Sequence, residues 1–217
     1  MNLNYIQKKI GTETQRDINI PRDKNGWRLD GVMDPGGKYP NPFNGEKYSQ
    51  TYFDKGINHP DKPWNTLPVY NDRYEFLDMI KNNRVILLVS DPGSGKTVII
   101  PKLLSHYFDY QKKIIVTTPR QKTTVGAAVW SSILMDVKLG KEIGVRHGNE
   151  KKKDGPLTKI LYTTDGSLVG RMSNHDTELR EYNGLIIDEA HERSVNIDLL
   201  ILLAKMLIIR RPDFKLI

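Results

Sequence analysis

Apolar positions along this chain follow two regimes, which change at about residue 72. Downstream of it stand four short, unbroken apolar runs, at 84–90, 113–118, 159–163 and 184–188. Between them, apolar residues recur at helical spacing over 73–80, 96–108, 121–137, 166–172 and 196–210. A run without alternation suits a strand buried on both faces, and strands alternating with helices predict a parallel sheet with helices on both sides. Upstream, seven of the twelve prolines fall before residue 70, alongside Gly36-Gly37, Trp27 and Trp64, and no period is sustained. That composition predicts an irregular N-terminal extension over 1–66 and an α/β domain over 67–217. The Lys151–Lys153 stretch reads as a turn between strands. At 217 residues the chain has room for one such domain and an appendage, and is too short for a two-lobed motor.

Composition narrows the chemistry. With no cysteine, thiolate-ligated metal and disulfide frameworks are excluded, which fits an intracellular protein, nuclear or cytoplasmic. The most apolar stretch, 199–209, is broken by Lys205 and is far shorter than the ~20 residues of a membrane span, so no membrane partner is expected. A formal charge of +7 suits a polyanion, although the basic residues are scattered and a solvated surface accounts for them equally well.

Two local patterns carry chemistry. Ser90-Asp-Pro-Gly-Ser-Gly-Lys-Thr97 follows an apolar run and opens a helix, matching the phosphate-binding loop except that serine stands at its first glycine. In such a loop Gly93, Ser94 and Gly95 turn backbone N–H groups toward a phosphate, Lys96 neutralises it, and the Thr97 hydroxyl serves Mg²⁺. The second pattern is Leu185-Ile-Ile187 running into Asp188-Glu-Ala-His191. A carboxylate there can hold the metal and its neighbour can orient attacking water, which makes Asp188 a metal residue and Glu189 the base. Alone, the two acids would equally serve the helix that follows as caps.

Asp188-Glu-Ala-His191 resembles motif II of the DEAH-box RNA helicases, and the likeness continues through Glu192-Arg-Ser194 to Arg210-Arg-Pro-Asp-Phe-Lys-Leu216. Thr118-Pro-Arg-Gln121 resembles motif Ia, and Thr163-Thr-Asp-Gly166 resembles motif Ib. Asn41-Pro-Phe-Asn-Gly45 and Leu67-Pro-Val-Tyr-Asn-Asp-Arg73 are similar to the spliceosome-disassembling and ribosome-biogenesis branch. The resemblance spans about residue 41 to the end. It implies a RecA-like first lobe, truncated before motif III, with ATP and Mg²⁺ as cofactors and single-stranded RNA held by its backbone. Arg120 and Thr164 would contact RNA phosphates, His191 would couple hydrolysis to motif III, and a second RecA-like lobe would complete the motor. Trp130 occupies the helix position where the family stacks an arginine on adenine. The family's arginine four positions beyond Thr-Asp-Gly is displaced here, with Gly170 in its place and Arg171 following. The expected activity is that of an ATP-dependent RNA helicase; the alternatives are a nucleotide- or RNA-binding module without turnover, or a DNA helicase.

Overall fold

A computed structural model describes residues 20–61, 63–148 and 155–217. Lys151–Lys153, expected as a turn, lies outside the described residues, as does the chain before Ile20. The longer helices are α1 (Arg73–Asn82), α2 (Lys96–Tyr107), α3 (Gln121–Met135), α4 (Asp165–Asn174) and α5 (Val195–Arg210), with a single turn at Pro68–Asn71 before α1. The strands are β1 (Lys113–Thr118), β2 (Ile143–Arg146), β3 (Ile160–Thr164), β4 (Tyr182–Ile187) and β5 (Lys215–Leu216). They form one parallel sheet in the order β2-β3-β1-β4-β5, the α/β RecA-like arrangement.

Each central strand feeds two cores, because successive side chains point to opposite faces. Ile114 and Val116 of β1 join Ile160, Tyr162 and Ile186 in the core under α2 and α3. Ile115, Leu161 and Leu185 join Leu168, Met172, Leu200 and Leu207 of α4 and α5 on the other face. Helices on both faces are therefore a consequence of strands with no polar side. At Gly184 a Cβ would lie 2.8 Å from Leu104 Cδ2, so any larger residue there would push the buried Leu104 side chain aside.

The apolar run at 84–90 departs from expectation. Its backbone meets the sheet only beside β5, where Ile86 N–H donates to Leu216 O and Leu216 N–H to Arg84 O. Ile86 and Leu88 pack inward, but Leu87 and Val89 are each 86% exposed. A strand needs a neighbour along its length, and β5 supplies two residues. Conversely, β2 and β5 were not expected as strands; Ile143-Gly-Val-Arg146 is too short and too glycine-rich to announce itself by periodicity.

The segment from Ile20 to Thr66 is irregular, with brief helical turns at Gln50–Tyr52, Phe53–Ile57 and Trp64–Thr66, yet it is not separate from the core. Val32, Met33, Tyr52 and Trp64 are buried with α2 and α3 in one cluster. Asp30, 1% exposed, accepts from Tyr110 Oη at 2.6 Å and lies 2.7 Å from His106 Nδ1. These contacts tie the extension to the helix that begins at the phosphate-binding loop.

Candidate functional site

Because the strands are parallel, their carboxyl ends share one edge, and that is where ligands bind in open α/β sheets. Arg120 follows β1, Thr164 closes β3, and Asp188 follows β4. Asp188 N–H donates to Thr117 O, so the turn after β4 is tied to the end of β1.

Gly93 and Gly95 take φ of 79° and 95°, a region costly for other residues. At Gly95 a Cβ would also come 2.7 Å from Leu67 Cδ1. Ser90, where the pattern has glycine, is not among the residues with positive φ, so its side chain costs the backbone nothing. Its hydroxyl instead lies 2.7 Å from Ser94 Oγ. Lys96 Nζ donates to the carbonyls of Ser90 (2.6 Å) and Asp91 (2.9 Å), drawn back over its own loop. Thr97 Oγ1 donates to Asp188 Oδ2 at 2.5 Å, joining the loop to the strand-end acid. The loop and the acid, 91 residues apart in sequence, thus form one site.

Glu189 follows with φ of 56°, its carboxylate 3.4 Å from His191 Nδ1, and both side chains reach solvent. A 3₁₀ turn, Ala190–Glu192, then leads to Arg193, again left-handed at 50°. Ser194 Oγ caps α5 by accepting from Ile197 N–H, so the helix has its own cap and does not need Asp188 or Glu189 for one.

Arg120 caps α3 through its backbone carbonyl, and its guanidinium, 77% exposed, lies 3.5 Å from Glu192 Oε1. Thr164 Oγ1 is 2.9 Å from Ser167 Oγ. Trp130 is 47% exposed on α3, its ring edge-on to His59 at 6.5 Å. The segment that meets it there goes on to border the phosphate-binding loop, where Val69 N–H donates to Ser94 O. Arg171 is engaged elsewhere, paired with Asp176 at 2.7 Å and stacked on Tyr182.

Three residues without an assigned role in the sequence stand in this site. Tyr162, buried mid-strand, donates to Thr97 O at 3.1 Å. Asp165 is 3% exposed; burial raises its pKa above the usual carboxylate range, against the opposing pull of the Thr117 hydroxyl, and the Glu192 and Asp188 carboxylates add to the rise. Glu192 is the third, and only its place after the Asp-Glu-Ala-His motif hints at it.

A model of the DEAD/DEAH box helicase family matches residues 72–211. A protein of Acanthamoeba polyphaga mimivirus, named as a candidate ATP-dependent RNA helicase, is 39% identical over 190 residues, 86% of this chain and 26% of its own. The ATP-dependent RNA helicase HrpA of Borreliella burgdorferi is 40% identical over 152 residues, 70% of this chain and 18% of its own. DHR2 of Saccharomyces cerevisiae, named as a probable ATP-dependent RNA helicase, is 37% identical over 158 residues, 70% of this chain and 21% of its own. The chain thus spans about a quarter or less of each relative's length. Among the described residues no helix is long and apolar enough to cross a membrane.

Proposed function

The chain belongs to the DEAD/DEAH box helicase family, and on that premise we propose that these residues form the nucleotide- and RNA-binding first lobe of a DEAH-type ATP-dependent RNA helicase. One observation carries the reading: the Thr97 hydroxyl and the Asp188 carboxylate converge at 2.5 Å beside a glycine-turned loop. Two hard oxygen donors, one in the first turn of α2 and one just past the end of β4, fit Mg²⁺, which keeps several waters and takes few protein ligands. When bound, Mg²⁺ would neutralise charge on the terminal phosphates of ATP.

The remaining roles belong to the chain's own groups. Lys96 would exchange its neutral loop carbonyls for anionic phosphate oxygens, so that both donor and acceptor are charged. Glu189 would orient attacking water and accept its proton, with His191 beside it holding the carboxylate. Arg120 and Thr164 would bind RNA phosphates, contacts that give affinity without reading sequence. Trp130 would offer its exposed ring face to adenine. Among the described residues there is one RecA-like sheet, and turnover would depend on a second lobe supplying transition-state cations.

Calorimetric titration with Mg²⁺-ADP tests the site. Lys96→Ala should weaken binding roughly 10- to 150-fold, the loss of a charged hydrogen bond worth ~1.5–3 kcal/mol. Trp130→Ala should weaken it about 5- to 150-fold, the worth of one stacked base. Unchanged affinity in a folded Lys96→Ala protein would remove the phosphate-loop reading; unchanged affinity in Trp130→Ala would remove only the stacking.

A further inference from the structure

The described structure gives the exposed guanidinium of Arg120 an ionic partner, Glu192, and that partner belongs to the turn carrying the proposed base. Glu192 N–H donates to Glu189 O at 2.9 Å, so the two residues are the ends of one tight hydrogen-bonded loop. This loop is held in a costly shape. Glu189 and Arg193, both non-glycine, take left-handed φ of 56° and 50° on either side of it. At its far end Arg193 is fixed by two hydrogen bonds to Asp198, of 2.7 and 3.2 Å. At its near end Asp188 is fixed by Thr97. Between those anchors the Arg120–Glu192 pair joins the turn to the end of β1.

The charges around the pair make it sensitive to a phosphate. Asp165, Asp188 and Glu192 gather at this edge, next to Glu189; the raised pKa of Asp165 comes first from burial, opposed by the Thr117 hydroxyl, and then from the fields of Glu192 and Asp188. Arg120 is the cation that offsets Glu192. A phosphate received by Arg120 would stand beside the Glu192 carboxylate, where like charges repel, and it would compete for the same N–H donors.

We propose that Glu192 is a positioning residue through which RNA at Arg120 is sensed at Glu189: phosphate displaces Glu192 from Arg120, and the strained turn is freed to re-aim the base. This rests on the reading of Arg120 as an RNA contact. Because binding linkage is reciprocal, Mg²⁺-nucleotide that reshapes the turn would in return alter RNA affinity at Arg120.

The test measures binding of a short labelled oligouridine to the 217-residue chain, with and without saturating Mg²⁺-ADP. The proteins are wild type, Glu192→Gln, Arg120→Ala and the double variant, with thermal unfolding checking that each is folded. Without nucleotide, Glu192→Gln should bind RNA about 2- to 5-fold more tightly, the scale of an exposed ion pair. The wild-type difference between ADP-bound and free protein should vanish in that variant, and Glu192→Gln should have no effect in the Arg120→Ala background. An equal gain in that background would mean plain repulsion of RNA by Glu192 and would overturn the proposal, as would an ADP effect that survives Glu192→Gln or is absent from wild type. If Arg120→Ala leaves RNA affinity unchanged, the RNA reading of Arg120 fails first and takes the proposal with it. If Arg120→Ala weakens RNA binding while Glu192→Gln changes nothing, only the proposal fails. Should Glu192→Gln not fold, Glu192→Ala takes its place with the same outcomes.

Discussion

Pro101 sits inside α2, and having no N–H it leaves the carbonyl of Thr97, four residues earlier, without its helical donor. Tyr162 supplies the replacement from the neighbouring sheet, and its hydroxyl is in turn within hydrogen-bond reach of Ser131 Oγ. The residue proposed to hold Mg²⁺ is thus oriented from behind by a buried phenol. Tyr162→Phe should destabilise the fold by roughly 1–3 kcal/mol, the cost of an unsatisfied buried acceptor. It should also weaken Mg²⁺-ADP more than Mg²⁺-free ADP, read by paired titrations; equal affinities for wild type and variant in both would separate Tyr162 from the site. A second buried polar residue, Lys102, sets a pH dependence. Burial pulls its ammonium down to about 7, against the attraction of Asp30, although Nζ donates to Leu134 O and lies 3.4 Å from the Trp64 ring centroid. From about pH 7 to the ordinary value of 10.5 the unfolded chain holds a proton that the folded chain lacks, so this lysine makes stability rise with pH in that window. Below it both states are protonated and the burial penalty is complete. Lys102→Gln keeps a donor for Leu134 and removes the charge. Relative to wild type it should be most stabilising near pH 6, with the gap closing by up to ~1.4 kcal/mol per pH unit as pH rises. Parallel urea curves at pH 6 and 9 with a constant gap would contradict this.

Among the elements, α3 depends on the extension for its ending. Its C-cap, Asp136, takes a left-handed φ of 50°. Asn41, 1% exposed, donates through Nδ2 to Met135 O at 2.8 Å and Asp136 O at 2.9 Å, while Ser49 donates to the Asp136 carboxylate through both N–H and Oγ. These bonds satisfy carbonyls that a helix end leaves open. Asn41→Ala should cost about 1–3 kcal/mol, since the buried Met135 carbonyl loses this donor while the partly buried Asp136 carbonyl keeps one from Asn44 Nδ2. Asn41→Asp should cost at least as much, because it faces those carbonyls with an acceptor. Chemical denaturation gives both values; a loss below ~0.5 kcal/mol for each would show that water replaces the amide. In the sequence Asn41-Pro-Phe-Asn-Gly45 stands out only by its likeness to one branch of the family, and its contact, 94 residues away, leaves no trace in local pattern.

At the scale of the molecule, two cores flank the sheet on either side, and loops from four parts of the chain meet at its carboxyl edge. The proposed transition-state cations belong to a second lobe, and an arginine of that kind is worth ~10³–10⁵ in rate. The 217-residue chain should therefore bind Mg²⁺-ADP yet hydrolyse ATP with negligible turnover, with or without RNA. Steady-state phosphate release checks this, and RNA-stimulated turnover at about 1 s⁻¹ or faster, the lower end of ordinary enzyme rates, would refute it.

What the sequence determined by itself are the features written locally. Unbroken apolar runs made β1, β3 and β4 two-faced, helical spacing placed α1 to α5, and glycine's tolerance of positive φ shaped the loop ending in Lys96 and Thr97. Features that depend on a distant partner were decided only by the tertiary structure. The run at 84–90 carries strand composition but finds β5 beside only its first residues, so Leu87 and Val89 remain exposed. Trp130, which composition alone would place in a core, lies half exposed against His59. The extension, irregular in pattern, is bound in by Asp30, Asn41 and Trp64. Arg120 and Glu192, 72 positions apart, meet because parallel pairing of β1 and β4 brings their carboxyl ends together, and no periodicity in the chain encodes that meeting.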